Sequence, residues 1–356
     1  MKTEPPTAAM PQGQAGRFVF LDGLRGVAAM MVVIYHYTFA GPAENAMQHG
    51  YLAVDFFFLL SGFVIAAAYE DRLRTRADYC ARFLVARAIR LYPLVILTTL
   101  VGFAAVDGPK DMASLLSNML LLPELTRLGR EDSFVLNVAM WSLAMEVLVN
   151  ILYAVTVRRW LSDRVLIGIV AVSLVGVLYV AATSNDLNIG ARAGTLPATL
   201  MRTLFSFALG ILIYRWRGWL MPARPASPAL VLLTFAALLA APYHAPVNGL
   251  FDALAVTVFF PLVLIAGASV VLNFTQAEGC RILGELSYPL YAIQFPFSAA
   301  LALLLAPLGL TDGAFRLLAL LAVLPTAWAV LVLYDRPARA ALGARLAGAR
   351  PRVQAA

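Results

Sequence analysis

The 356-residue chain is 61% hydrophobic and 13% charged, with a formal net charge of +7 and a mean hydropathy of +0.80. Soluble globular domains carry about 25% charged residues, so this composition excludes a soluble enzyme and describes an integral membrane protein. The basic excess does not indicate nucleic acid: the arginines cluster in short links between apolar stretches, where they sort topology and meet anionic head groups.

The first sixteen residues are polar and contain Pro, Gln and Gly. No cleavable leader is expected, because the first apolar stretch runs past signal length and carries charges within it. Windows near the roughly 20 residues that cross about 30 Å of hydrocarbon fall at 18 to 39, 51 to 69, 83 to 106, 134 to 157, 164 to 182, 198 to 214, 228 to 243, 250 to 273, 286 to 306 and 315 to 334. A further apolar piece, 112 to 122, is too short to span and is bracketed by Pro109 and Pro123. It reads as a re-entrant or interfacial segment. The fold class is therefore all-α: a polytopic bundle of about ten transmembrane helices with one short extra segment.

With the N-terminus inside, the inner links hold Arg72, Arg74, Arg76 and Arg82, then Arg158, Arg159 and Arg164, then Arg215, Arg217 and Arg224. The tail adds Arg336, Arg339, Arg345, Arg350 and Arg352. The longest outer link, about 107 to 133, holds Asp107, Asp111, Glu124, Glu131 and Asp132 against Lys110, Arg127 and Arg130. The positive-inside bias places both termini in the cytoplasm. Three parts are expected: a cytoplasmic segment 1 to 17, a membrane domain 18 to 334 and a basic tail 335 to 356. The tail reads as a disordered topology anchor rather than an amphipathic surface helix, and no further domain is expected after it. Cys80 and Cys280 fall in inner links, where thiols stay reduced. No cluster of His, Cys and Asp suggests a metal.

Within the first stretch Arg25 and His36 are eleven residues apart, which at about 100° per residue returns the second side chain to within about 20° of the first. An ionisable pair on one face of a membrane helix marks a site. The two differ in depth by about 16 Å, so either they serve different ends of one path or the helix is broken near Gly26. A neutral imidazole suits proton abstraction near neutral pH; a structural hydrogen bond is the plainer alternative for His36. Arg25 suits a developing oxyanion, or it holds neighbouring groups, or it pairs only with Asp22. Arg87 and Arg90 form an Arg-x-x-Arg unit on one helix side, suited to phosphate or to snorkelling toward lipid. In the fourth span, Ser142 and Glu146 share a face next to Trp141, and a carboxylate at that depth needs a partner or a proton. Glu146 could orient His36, pair with an arginine, bind an acceptor hydroxyl or make an interhelical bond.

Six motifs in chain order carry a resemblance: FLDGLRGVAAMMVVIYH at 20 to 36, VDFFFLLSGFVIA at 54 to 66, RFLVARAIRLYP at 82 to 93, WSLAMEVLVNILY at 141 to 153, LGELSYPLYAIQFP at 283 to 296 and YDRPAR at 334 to 339. In these the chain resembles acyltransferase family 3, whose members O-acylate carbohydrates and other acceptors on the bacterial envelope. The resemblance implies an acyltransferase of the inner membrane that moves an acyl group, acetyl being the expected one, from cytoplasmic acyl-CoA to a hydroxyl of an envelope or lipid-linked carbohydrate. It holds no permanent cofactor. His36 is then the base, with Arg25 and Glu146 beside it, and Arg87 and Arg90 hold the donor's phosphates. Asp22, Asp55, Ser142, Tyr288, Tyr291, Gln294 and Arg202 contact substrate or support these groups. Ser61 and Gly62 serve close packing, and Arg202, near the outer end of the sixth span, and Asp252, at the outer start of the eighth, each touch a polar acceptor or anchor their helix at the interface. Many family members carry a histidine where this chain has Gln294, and often a glycine at Ala53. The alternative from another class is a proton-coupled transporter or flippase, since embedded His, Glu and Arg also build proton paths.

Overall fold

The computed structural model describes residues 18–38, 47–107, 110–124, 133–190 and 192–348. The expectations for 1–17, Pro109, Arg127, Arg130, Glu131, Asp132, Arg350 and Arg352 lie outside the described residues. The described residues form fourteen α-helices: α1 (Val19–Thr38), α2 (Ala53–Thr75), α3 (Tyr79–Ala105), α4 (Met112–Met119), α5 (Met140–Thr156), α6 (Asp163–Ser184), α7 (Leu196–Arg215), α8 (Arg217–Leu220), α9 (Pro228–Ala240), α10 (Asn248–Leu254), α11 (Phe260–Ala268), α12 (Phe274–Leu305), α13 (Asp312–Val330) and α14 (Arg336–Gly348). No strand occurs among them, and eight helical stretches are long and apolar enough to cross a membrane. Two shorter apolar helices, α5 and α9, stand where the fourth and seventh spans were expected. The chain is a polytopic helical membrane protein.

Local chemistry sets the helix ends. Ser162, Ser227 and Thr311 accept from the backbone N–H three residues on, satisfying a donor that the first turn leaves without a partner. Asn273 and Gln276 form a reciprocal capping box, which starts α12 twelve residues before the expected boundary at 286. The expected fourth span begins too early. Residues before Met140 form a buried loop whose Phe134 and Leu136 are apolar without being helical, and Asn137 ties it down by donating to the Ala292 carbonyl. The segment after Asp111 forms the eight-residue α4, too short to span.

Two turns of π-helix, Ala255–Phe259 and Leu331–Asp335, each precede a proline, Pro261 and Pro337. A proline ring clashes with the carbonyl four residues back and supplies no N–H, so the ladder widens there. The first turn joins α10 to α11 and the second joins α13 to α14. The described part of the tail is therefore a helix continuing α13 rather than the disordered anchor expected of it.

Close backbone contacts fix the centre of the bundle. α1 lies along α12 over the most extensive interface in the molecule, and α2 along α7 over the next. A Cβ on Gly26 would lie 2.6 Å from the Leu283 Cβ, and one on Gly284 would lie 2.7 Å from the Asp22 Cβ. Added carbons on Gly62 and Gly210 would overlap the carbonyl oxygens of Phe207 and Leu59. Each interface thus has a glycine from both helices, the small-residue solution to association in lipid. α1 continues unbroken past Gly26, so Arg25 and His36 stay a full three turns apart.

Forcing a side chain into such a contact moves two backbones. Gly62→Leu should destabilise the protein by at least about 1–3 kcal/mol and lower its thermal midpoint in detergent, whereas Gly168→Leu, where nothing lies within 4 Å, should leave the midpoint unchanged.

Candidate active site

Side chains of five helices line a partly open cavity: Arg25, Arg87, Arg90, Ser61, Ser142, Glu146, Ser287, Tyr288 and Tyr291, together with apolar groups from α2, α3 and α5. Its charged end is built by α1, α3 and α5. Arg87 forms an ion pair with Glu146, and Ser61 donates a second hydrogen bond to the same carboxylate oxygen at 3.3 Å. That answers the carboxylate's need for a partner at this depth. Arg25 donates to Ser287 Oγ at 3.0 Å and to the Gly284 carbonyl at 2.9 Å, and pairs with Asp22 at 3.1 Å. It is thus bound to Asp22 and braced against α12 at once, a placement that the Gly26 and Gly284 contact makes geometrically available.

Arg90 differs from its neighbours. It is exposed, lines the cavity, and makes no hydrogen bond or ion pair with any described residue. With Glu146 paired to Arg87 and Asp22 paired to Arg25, two carboxylates meet three guanidinium groups, and the positive charge left over favours an anion with several oxygens. Tyr288 fixes the wall beside it by donating to the Leu91 carbonyl at 2.7 Å, one residue along from Arg90. Ser142 donates to the Ala139 carbonyl at 3.1 Å, which leaves Tyr291 to donate to Ser142 across 2.6 Å.

His36 does not line this cavity. It stands toward the other end of α1, half-buried, with its ring 4.7 Å from Phe295 and 5.1 Å from Tyr35 between centroids. Its Nδ1 is 2.9 Å from Gln294 Oε1. The amide orientation follows from the backbone: Gln294 Nε2 donates to the Tyr291 carbonyl at 3.1 Å, and a carbonyl only accepts. Oε1 therefore faces His36, so Nδ1 carries the proton and Nε2 presents a lone pair. Tyr37 holds the same turn of α12 by donating to the Gln294 carbonyl at 2.7 Å. Tyr291, on the cavity wall, lies one turn of α12 from Gln294, so the two places share a helix although their lining residues do not overlap.

Asp55 and Arg202 are brought together elsewhere. Both are buried; Arg202 donates to the two Asp55 oxygens at 3.1 and 2.5 Å and to the Ile189 carbonyl at 2.5 Å. Arg202 is thus sequestered in a fork between α2 and α7 and does not reach the cavity. A further polar cluster carries little sequence signal. Asp252 accepts from Tyr51 at 2.6 Å and from the Leu187 N–H at 2.8 Å. His49, 1% exposed, sits between the Ala241 carbonyl and Asn248 Oδ1. His49 lies in a link by hydropathy, and nothing in its local pattern shows that it is buried. Among the described residues no three of His, Cys, Asp and Glu converge as metal ligands.

The model of acyltransferase family 3, described as an acyltransferase domain, matches residues 18–335. The chain belongs to this family. It is an acyltransferase, which decides between the enzyme and transporter readings of its embedded charges. Protein 2 in picA locus of Rhizobium radiobacter is a similar chain, 36% identical across a region covering 42% of this chain and 86% of the relative. No solved structure matches.

The buried fork gives a test of what holds the family member together. Asp55→Asn leaves a buried guanidinium without its counter-charge and should cost about 3–5 kcal/mol. Joint replacement of Asp55 and Arg202 by Leu and Met should cost less than that single change, as chemical unfolding of the purified protein would report.

Proposed function

We propose that this acyltransferase moves a short acyl group, acetyl first among them, from cytoplasmic acyl-CoA to a hydroxyl of an envelope or exported carbohydrate. The cavity carries the reading: Arg25, Arg87 and Arg90 line it together with a run of apolar side chains on α2. That combination suits a donor with phosphates at one end and an acyl thioester at the other. Arg90, free of partners among the described residues, meets the phosphates with both faces of its fork available. Arg87 does so while neutralised in part by Glu146. The phosphate end belongs on the cytoplasmic side, where the coenzyme A pool is found, in keeping with the charge bias of the links.

His36 acts as general base. Gln294 holds its Nδ1–H, so the Nε2 lone pair takes the proton of the acceptor hydroxyl. The hydroxyl oxygen bonds to the thioester carbonyl carbon, the C–S bond breaks, and the proton passes on to the departing coenzyme A thiolate. An amide serves in this role without titrating, so the histidine found at this position in many relatives is not needed for holding the tautomer. The acceptor reaches His36 from the side opposite to the donor, and Arg25 and His36 serve the two ends of one path.

Free thiol release from acetyl-CoA by purified protein in nanodiscs, with and without envelope polysaccharide precursors, tests this. His36→Ala should lower turnover by about 10²–10⁴-fold, and equal turnover in the variant would overturn the base assignment. Gln294→Leu removes one hydrogen bond of about 1.4 kcal/mol and should lower kcat about tenfold, with KM for the donor unchanged. Arg90→Gln should show the reverse split: KM for acetyl-CoA raised about tenfold or more, consistent with a lost charge-assisted bond of about 1.5–3 kcal/mol, and kcat nearly retained.

A further inference from the structure

The start of the basic tail is packed beside the charged end of the cavity. Ala319, Val323 and Ala327 of α13 are buried, as is Leu331 after them, and the same four-residue step continues to Asp335 and Arg339. A step of four overshoots an α-helical turn by about 40°, and the wider π turn Leu331–Asp335 takes up part of that drift. The apolar stripe therefore ends on a carboxylate that is 0% exposed and on a half-buried guanidinium. Two hydroxyls seat this part of the chain. Tyr334 donates to the Pro93 carbonyl at 3.1 Å, and Tyr288, from the cavity wall, donates to the Leu91 carbonyl at 2.7 Å, so both bonds fall on the stretch of α3 just after Arg90. The π turn rests against α12, and α14 packs on α3.

Asp335 pairs with Arg339 one turn further on, yet neither of its side-chain oxygens accepts a hydrogen bond from any described residue. A buried carboxylate in that condition is costly unless cations stand close. Two do. Arg339 and Arg90 both act on it electrostatically, and the charge of Arg339 is also felt by Arg90 and by Tyr288. Asp335 thus offsets two guanidinium groups that repel each other, and it does so without engaging the N–H donors of Arg90. Arg339 turns its Nε toward the Asp335 main-chain carbonyl at 3.4 Å and its Nη2 toward the carboxylate, which leaves Nη1 for a further partner. One carboxylate between two forks leaves a positive charge over, with donors to spare on both sides, and that is a seat for a phosphate group.

We propose that Arg339 is a further phosphate-binding residue of the donor site, holding a phosphate of acyl-CoA jointly with Arg90, and that Asp335 is the positioning residue that keeps the two forks side by side. This assignment rests on the acyl-CoA reading given above. It gives the segment YDRPAR at 334 to 339 a part in binding: Tyr334 docks it on α3, Pro337 follows the widened turn, Asp335 aligns the forks and Arg339 meets the ligand. A lipid phosphate at the membrane surface offers the same chemistry to Arg339, so the experiment separates the two sources.

Coenzyme A binding and thiol release from acetyl-CoA are measured with the purified full chain in nanodiscs of phosphatidylcholine, with and without phosphatidylglycerol. The variants are Arg339→Gln, Arg339→Lys, Asp335→Asn, Arg90→Gln, the double variant Arg90→Gln with Arg339→Gln, and Arg345→Gln, which alters an exposed residue further along α14. Arg339→Gln should raise the Kd for coenzyme A and the KM for acetyl-CoA about tenfold in both lipids, with kcat nearly retained, and Arg345→Gln should match wild type. Asp335→Asn should shift Kd and KM in the same direction. Arg339→Lys, which keeps the counter-charge of Asp335 but not the fork, should lose by a smaller factor and keeps the test open where the other substitutions do not fold. The double variant should lose less than the product of the two single losses, because both forks hold one group. Wild-type affinity in the Arg339 variants, losses that multiply, or a loss confined to the anionic lipid would overturn the assignment while leaving the donor reading intact. Absence of both coenzyme A binding and thiol release in wild type would overturn the donor reading and the assignment with it.

Discussion

The contact between α1 and α12 is the constraint on which the site depends. In lipid two helices gain little from hiding apolar surface from each other, so their association rests on close fit and polar bonds. Gly26 and Gly284 supply the fit by letting each backbone receive the other helix. The polar bonds follow at both ends of the same interface: Arg25 to Ser287 and Gly284 at one end, His36 and Tyr37 to Gln294 at the other. One glycine-mediated contact thus fixes the register of the two ionisable side chains of α1 against a single partner. Their separation is the length of helix between them, and of the two Arg25 alone lines the cavity.

A second interface, between α2 and α7, plays the matching part on the far wall. Gly62 and Gly210 bring these helices together, and the Asp55 and Arg202 fork joins them toward one end. A fully buried ion pair is a poor source of stability compared with an apolar replacement, but it is unforgiving of the wrong register. Here it pins α2, the helix that presents Ser61, Phe57 and Phe58 to the cavity.

Much of this was legible in the sequence because it is local. Apolar windows of membrane length mark the spans, and the eleven-residue spacing of Arg25 and His36 marks one face of one helix. The six motifs mark the family. What could not be read is the pairing across helices. Glu146 had three candidate partners on paper, and only the packing of α3 against α5 selects Arg87. Arg202 looks like an interfacial anchor from its position near a span end, yet the approach of α7 to α2 draws it inward to Asp55. Hydropathy also misplaced the start of the fourth span, since Phe134 and Leu136 are buried in a loop, where apolar character does not imply helix. The π-helical turns were hidden for a different reason: a proline announces a disturbed ladder but not whether the chain bends, stops or widens.

The way α5 is attached has a consequence for motion. α1, α12, α2 and α7 meet backbone to backbone at their glycines, and such packed surfaces are bistable rather than smoothly deformable, so they resist sliding. α5 carries no glycine and is joined to the cavity walls by side-chain links, through Glu146 to Arg87 and Ser61 and through Ser142 to Tyr291. Links of this kind can be exchanged for others on an incoming anion or hydroxyl without opening a void in the core. The bundle thus uses two kinds of joint: backbone contact at glycines for the two helix pairs that frame the site, and buried side-chain packing with polar links, Tyr153 to Glu70 among them, for α5.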